Sequence, residues 1–195
     1  PEKARKGYER QYRLWLDRRG SYEKYITAVV NTFHRYLKGV PFAVFRRASR
    51  NLMRERKDRV YRYTKNLIRD LRRKKYFLLA ISHSPKNVVD EFCTHLGFDK
   101  VYGRLYTIGP GQRFTGAVDD LHLIENKANI VKRAMEKEGL TLRGSVGVGD
   151  TESDLPLLEL VETAICLNPN AALYRHARRN GGRVVVERKD VIYEF

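Results

Sequence analysis

Six consecutive apolar residues, Tyr76-Phe77-Leu78-Leu79-Ala80-Ile81, break a heavily charged stretch of chain. A strand with one wet face alternates apolar and polar residues. A run without alternation suits a strand covered on both faces, as in a parallel sheet flanked by helices. Ser82-His83-Ser84-Pro85 ends the run. Beyond it the pattern switches repeatedly between periods. Residues 86–96 read as a helix closing at Gly97. Val101–Ile108 and Arg113–Val118 alternate about Gly109-Pro110-Gly111-Gln112, which predicts a β-hairpin. A helix over 127–138 ends at Gly139, Ser145–Val148 is a short strand, and Leu155–Leu160 opens another helix. Thr163–Leu167 and Arg183–Glu187 are strands flanking a helix at 171–179. This alternation predicts an α/β fold built on a doubly wound, Rossmann-like parallel sheet.

The segment before the run is different in kind. Residues 3–19, 21–38 and 48–75 read as helices, with Tyr8, Tyr12, Trp15 and Leu16, then Tyr25, Ile26, Val29, Val30, Phe33 and Leu37, at helical spacing. Gly20-Ser21 and Gly39-Val40-Pro41 punctuate them, and Ser21 suits a helix N-cap. The net charge of +16 is concentrated here: residues 1–75 hold 24 Lys and Arg against 7 Asp and Glu, and the remainder is nearly neutral. A basic patch attracts nucleic acid or anionic substrates, or is simply a solvated helical face. Arg46, Arg47, Arg50, Arg54, Arg56, Lys57 and Arg59 form the densest cluster, with Tyr61 and Tyr63 available either to stack on bases or to pack in a core. No apolar run is long enough to span a membrane. The charged start shows no signal peptide, and the two cysteines, Cys93 and Cys166, have no CxxC spacing. These features exclude a disulfide scaffold and a zinc ribbon, and make a reducing cytoplasm the expected location.

In parallel α/β sheets ligands sit beyond the carboxyl ends of the strands. Two such ends carry chemistry. Val148-Gly149-Asp150-Thr151-Glu152-Ser153-Asp154 sets two carboxylates four residues apart at a strand–helix turn. They can converge on one hard cation such as Mg²⁺, or cap the helix that follows. Lys127 opens a helix after a polar loop. A cation there opposes the helix dipole, which makes sense where it faces an anion, although an exposed lysine is the plain alternative. Ser82 offers a hydroxyl and an N–H to a phosphate oxygen, or caps its strand.

Taken together, a strand ending in Ser, a helix-borne Lys and a strand ending in GDxxxD, in that order, resemble the haloacid dehalogenase (HAD) superfamily of phosphohydrolases. The nearest branch is the phosphoserine-phosphatase-like one. Phe77–Pro85 is similar to its second motif, Lys127 to its third and Gly149–Asp154 to its fourth. Ala164–Asn170 is similar to the strand and turn that follow. The resemblance implies a HAD-like core over 60–195 and a basic α-helical cap over 1–59. It implies Mg²⁺ held by Asp150 and Asp154, and a small phosphorylated substrate held by Ser82, His83, Ser84 and Lys127. Ser82 and Lys127 then act in catalysis by binding and stabilising the phosphoryl group. His83 is a substrate contact or a surface histidine, and Asn168 supports the metal loop or makes a turn.

One departure stands out. The family's first motif is a strand ending in Asp-x-Asp, whose first Asp is the nucleophile, and no such pair precedes Ser82. Arg19 follows Asp17 where the second carboxylate belongs, and Phe42-Ala43-Val44-Phe45 leads to Arg46 and Ala48. The expectation is therefore a phosphomonoesterase acting through an aspartyl-phosphate when intact. The 195 residues alone are expected to be inactive, with the first strand lying before Pro1. A nucleic-acid-binding protein, or a non-catalytic HAD-like interaction protein using the basic helices, is the alternative.

Overall fold

The computed structural model describes residues 2–119 and 126–195. The polar loop before Lys127 lies largely outside them. The chain divides into two compact units, Pro1–Asn51 with Leu105–Asp119, and Leu52–Arg104 with Asp120–Phe195. Among the described residues no helix is long and apolar enough to cross a membrane.

The first unit contains α1 (Glu2–Lys6), α2 (Glu9–Leu16), α3 (Tyr22–Leu37) and the start of α4 (Phe42–Arg56). The sequence expectation of one helix over 3–19 gives way to two. Gly7 lies where a side chain would run into Thr32 of α3, so the chain turns there to let the helices close up. Ser21 caps α3 as expected, its hydroxyl accepting the Lys24 N–H at 3.3 Å. The aromatic spacing becomes packing: Trp15 stacks on Tyr25 with ring centroids 5.3 Å apart. Phe114 makes edge-on ring pairs with Phe45 of α4 and with Tyr106. The expected hairpin forms. Residues 105–109 of β2 (Lys100–Gly109) pair antiparallel with β3 (Arg113–Asp119), Leu105 opposite Asp119 and Gly109 opposite Arg113.

The second unit is the α/β part. The helix expected over 48–75 is interrupted: α4 ends at Arg56 and α5 spans Arg62–Arg73. Tyr61 stays exposed, while Tyr63 packs against the sheet. β1 (Leu79–Pro85) starts three residues later than the apolar run. The N–H of Tyr76 still bonds the Leu71 carbonyl, finishing α5, with Lys75 in the left-handed region (φ 60). β1 pairs parallel with β2, Leu79 opposite Lys100 and Ile81 opposite Tyr102. α6 (Lys86–Leu96) joins them and ends at Gly97 in the left-handed conformation that frees a glycine of strain. α7 (Lys127–Glu138) leads to β4 (Val146–Gly149), α8 (Leu155–Leu158), β5 (Thr163–Leu167), α9 (Ala171–Arg179), β6 (Arg183–Arg188) and β7 (Val191–Glu194). β4, β5 and β6 are parallel neighbours in that order, and β7 adds antiparallel to β6.

Alternation along β5 sends side chains to two apolar layers. Cys166 joins Leu158, Leu173 and Val184 on the side of α8 and α9. Ile165 and Leu167 join Val185 on the other side, against Tyr63 and Leu67 of α5. Helices on both faces explain why these strands read as unbroken apolar runs. A carboxylate secures α5: Glu187 of β6 accepts the Arg62 and Tyr63 N–H groups at 2.9 and 2.8 Å. It thus caps the helix from a distance of more than a hundred residues in sequence.

Candidate active site

β4 delivers Gly149 to the carboxyl edge of the sheet, where the chain turns over Asp154. A Cβ on Gly149 would stand 2.8 Å from Asp154 Cγ, so only glycine lets the carboxylate fold back under the strand end. Asp154 Oδ2 accepts the N–H groups of Asp150 and Thr151 at 2.9 and 3.1 Å. Thr151 completes a capping box with Asp154 and shares a 2.8 Å hydrogen bond with Ser153. Much of the acidic loop is thereby organised about its last carboxylate.

Lys127 is the first residue of α7. Asn126 caps the helix, its Oδ1 accepting the Ala128 N–H at 3.0 Å. The lysine side chain is only 11% exposed, and its Nζ is ion-paired to Asp154 Oδ1, whose side chain is 6% exposed. Asp150 lies beside this pair on the exposed rim of the loop. The surroundings push the two carboxyl groups apart. Burial alone would raise Asp154, but the Lys127 ammonium and the two backbone N–H groups outweigh it and hold the group below the usual aspartate range. Asp150 moves up, first through lost hydration and then through the neighbouring Asp154 charge, with Lys127 only partly offsetting them.

Ser82 lies in an irregular part of the β1–β2 ladder, between the regular pairing at Ile81 and the resumed pairing of Pro85 with Arg104. Its hydroxyl accepts the Ser84 N–H at 3.1 Å. Ser82 and His83 are half-buried and Ser84 is exposed. The structure thus joins Lys127, Asp150 and Asp154 in one cluster. It seats Ser82, His83 and Ser84 at the carboxyl end of another strand, outside that hydrogen-bonded group. Ile81, the residue before Ser82, borders the same cavity of about 760 Å³ as Lys127 and Asp154.

Sequence reasoning missed Asn170. Its N–H bonds the Asp150 carbonyl at 2.8 Å, its Nδ2 bonds Glu152, and its Oδ1 caps α9 through the Leu173 N–H at 2.9 Å. The signal was an N-cap residue after β5, readable as a helix start but not as a tie to the acidic loop. Asn168 instead occupies a left-handed turn (φ 45), accepting the Glu187 N–H at 2.9 Å and donating its own N–H to Val185.

The turn after β4 and the start of α7 bring a buried lysine, a carboxylate that it holds ionised and a second carboxyl at the rim to one place on an α/β sheet. The profile of the haloacid dehalogenase-like hydrolases matches residues 2–159, and the chain belongs to that family. Its likeness falls on the phosphoserine-phosphatase side. Phosphoserine phosphatase of Archaeoglobus fulgidus is 28% identical over 140 residues, 71% of this chain and 39% of that protein. A solved structure of a phospho-aspartyl intermediate analogue of phosphoserine phosphatase shares the fold with a TM-score of 0.61, at 18% identity, over 94% of this chain and 80% of that one. A protein of unknown function from Bordetella pertussis Tohama I reaches a TM-score of 0.73 at 18% identity, over 94% and 82% of the two chains. Matches to three other curated relatives span 38%, 24% and 50% of those proteins' lengths.

Proposed function

We propose that this chain carries the phosphate- and metal-binding side of a Mg²⁺-dependent phosphomonoesterase that works through an aspartyl-phosphate. The observation that carries the reading is the buried Lys127–Asp154 pair at the end of β4, with Asp150 beside it.

The donor set fits magnesium. Mg²⁺ is usually held by one or two carboxylates and otherwise by waters and substrate phosphate oxygens, not by a full protein cage. Asp150 would hold the ion, with Asp154 in support, since Oδ1 of Asp154 faces Lys127 and Oδ2 faces two N–H groups. When bound, the ion offsets the repulsion between a carboxylate nucleophile and a phosphate.

The chain's own residues do the rest. Asp154 fixes the Lys127 ammonium at the cluster, where it stabilises charge spreading over the phosphoryl oxygens. Ser82 binds one of those oxygens through its hydroxyl and N–H, with His83 and Ser84 beside it. Asn170 holds the Asp150 loop from behind. The nucleophile is an aspartate on a strand that residues 1–195 do not supply. Its carboxylate oxygen attacks phosphorus as the alkoxide leaves, and water then cleaves the acyl phosphate.

Hydrolysis of p-nitrophenyl phosphate with Mg²⁺ tests this. The 195-residue chain is expected to be inactive. A version extended by a strand ending in Asp-x-Asp is expected to turn over, and Asp150→Asn in that version should remove most activity. Robust turnover by the 195 residues alone would place the nucleophile within them and overturn the proposal.

A further inference from the structure

The turn between α2 and α3, in the first unit, sets apolar, aromatic and cationic side chains together. Leu16 and Tyr22, on either side of the turn, are 52% and 46% exposed. Arg18 stands between them in the left-handed region (φ 59), where glycine is the residue free of strain. Its N–H and that of Arg19 close the end of α2 on the Trp15 and Leu14 carbonyls, at 3.1 and 2.8 Å. Both arginine side chains are exposed.

Five rings lie behind the turn. Trp15 stacks on Tyr25 at 7° and stands 5.4 Å from Tyr22, while Tyr12 and Tyr8 lie 5.3 and 6.3 Å from Tyr25. None of the five is buried. Residues 2–24 carry eight Lys and Arg against four Asp and Glu. The ion pairs of this stretch join Arg5 and Arg13 to Glu9, leaving Arg10, Arg18, Arg19 and Lys24 outside them. Asp17 and Glu23 are the acidic residues at the turn, both exposed.

A net positive surface suits an anionic one, and the rings choose which. Single-stranded nucleic acid stacks its bases on open ring faces. Trp15 is crowded by three tyrosines, stacked on Tyr25 and tilted against Tyr12 and Tyr22, so it makes a poor platform for a base. A bilayer surface asks for something else. It takes amphipathic rings and aliphatic side chains at the headgroup boundary, and Lys or Arg on anionic lipid phosphates. The α2–α3 turn supplies that set.

We propose that the α2–α3 turn docks on an anionic membrane surface, with Leu16, Trp15 and Tyr22 at the headgroup boundary and Arg18 and Arg19 on lipid phosphates. This surface stands apart from the phosphatase reading and does not depend on it.

Trp15 is the one tryptophan of the chain, so its emission reports on this place alone. The probes are vesicles of phosphatidylcholine, with and without about one-third phosphatidylglycerol. The 195-residue chain should sediment with the anionic vesicles, its emission shifted to the blue and quenched by brominated acyl chains. Arg18→Glu with Arg19→Glu should weaken binding about tenfold or more. Leu16→Ser should weaken it about threefold or more. All three positions are exposed, and far-UV circular dichroism checks that the variants keep their helices. No binding, equal binding to neutral vesicles, binding without a change in Trp15 emission, or full binding by the double variant overturns the proposal. Quenching of Trp15 by an oligothymidylate that stacks on it assigns the rings to nucleic acid and overturns it. A dimer of the free chain that Leu16→Arg disperses assigns the face to a second copy and overturns it as well.

Discussion

Removing either charge of the Lys127–Asp154 pair should destabilise the second unit, and removing both should cost much less than the sum. Both side chains are about nine-tenths buried, at 11% and 6% exposure. Asp154→Asn leaves an ammonium in that site without its counter-charge, a change worth about 3–5 kcal/mol where a buried pair is broken. Lys127→Met is milder, on the order of 1–3 kcal/mol, because Asp154 keeps the N–H groups of Asp150 and Thr151 as donors. The double substitution removes the orphaned charge altogether, so a coupling of roughly 1–3 kcal/mol is expected. Urea unfolding followed by far-UV circular dichroism gives the three values. Amide exchange at Asp150 and Thr151 localises the effect to the acidic loop. Single losses that add to the double within about 0.5 kcal/mol would mean that the two groups do not depend on each other. The account of the loop as organised around this pair would then be wrong.

Other substitutions probe the scaffold around the site. Glu187→Gln removes the charge that caps α5 and should cost about 1–2 kcal/mol, with faster exchange at Arg62 and Tyr63. Burial opposes ionisation of Glu187, but the Tyr63 and Arg62 N–H groups and the Arg62 guanidinium win and hold it below the usual glutamate range. Its contribution is therefore complete above the unfolded-state value and fades as pH falls through the lowered one, so wild type and Glu187→Gln should converge in stability only once the pH falls below that lowered value. Gly149→Ala forces a carbon against Asp154 and should cost about 1–3 kcal/mol, with lost protection of the Thr151 amide. Cys93 is buried, its thiol pushed up to about 11 by burial first and then by Asp90. Iodoacetamide at pH 8 should leave it unmodified until urea is added.

The sequence was most legible where one local rule decided the outcome. Apolar runs located β1, β4, β5 and β6, and Gly97 and Gly139 marked the ends of α6 and α7 through the left-handed backbone that a terminal glycine permits. It was least legible where distant residues decided. Nothing between 57 and 61 contains Gly or Pro, yet α4 and α5 separate there, because Glu187 offers the second helix a new N-terminus. The Lys127–Asp154 contact joins residues 27 apart, and Asn170 reaches a loop 18 residues upstream. Spacing in sequence named the charged partners but could not aim them.

Stability alone gives a poor reason for this arrangement. Lys127 opens a helix, where the dipole repels a cation, and it is buried, where losing hydration opposes the charge. Asp154 offsets both effects, yet a buried ion pair is seldom better than well-packed apolar side chains of the same size. A chain selected only to fold would place an apolar residue at 127 and a simple cap at 154. Two local rules are broken at one point, at the carboxyl end of β4 and on the border of the cavity that Ile81 also lines. On the phosphatase reading proposed above, the pair holds the lysine ready for a phosphoryl group.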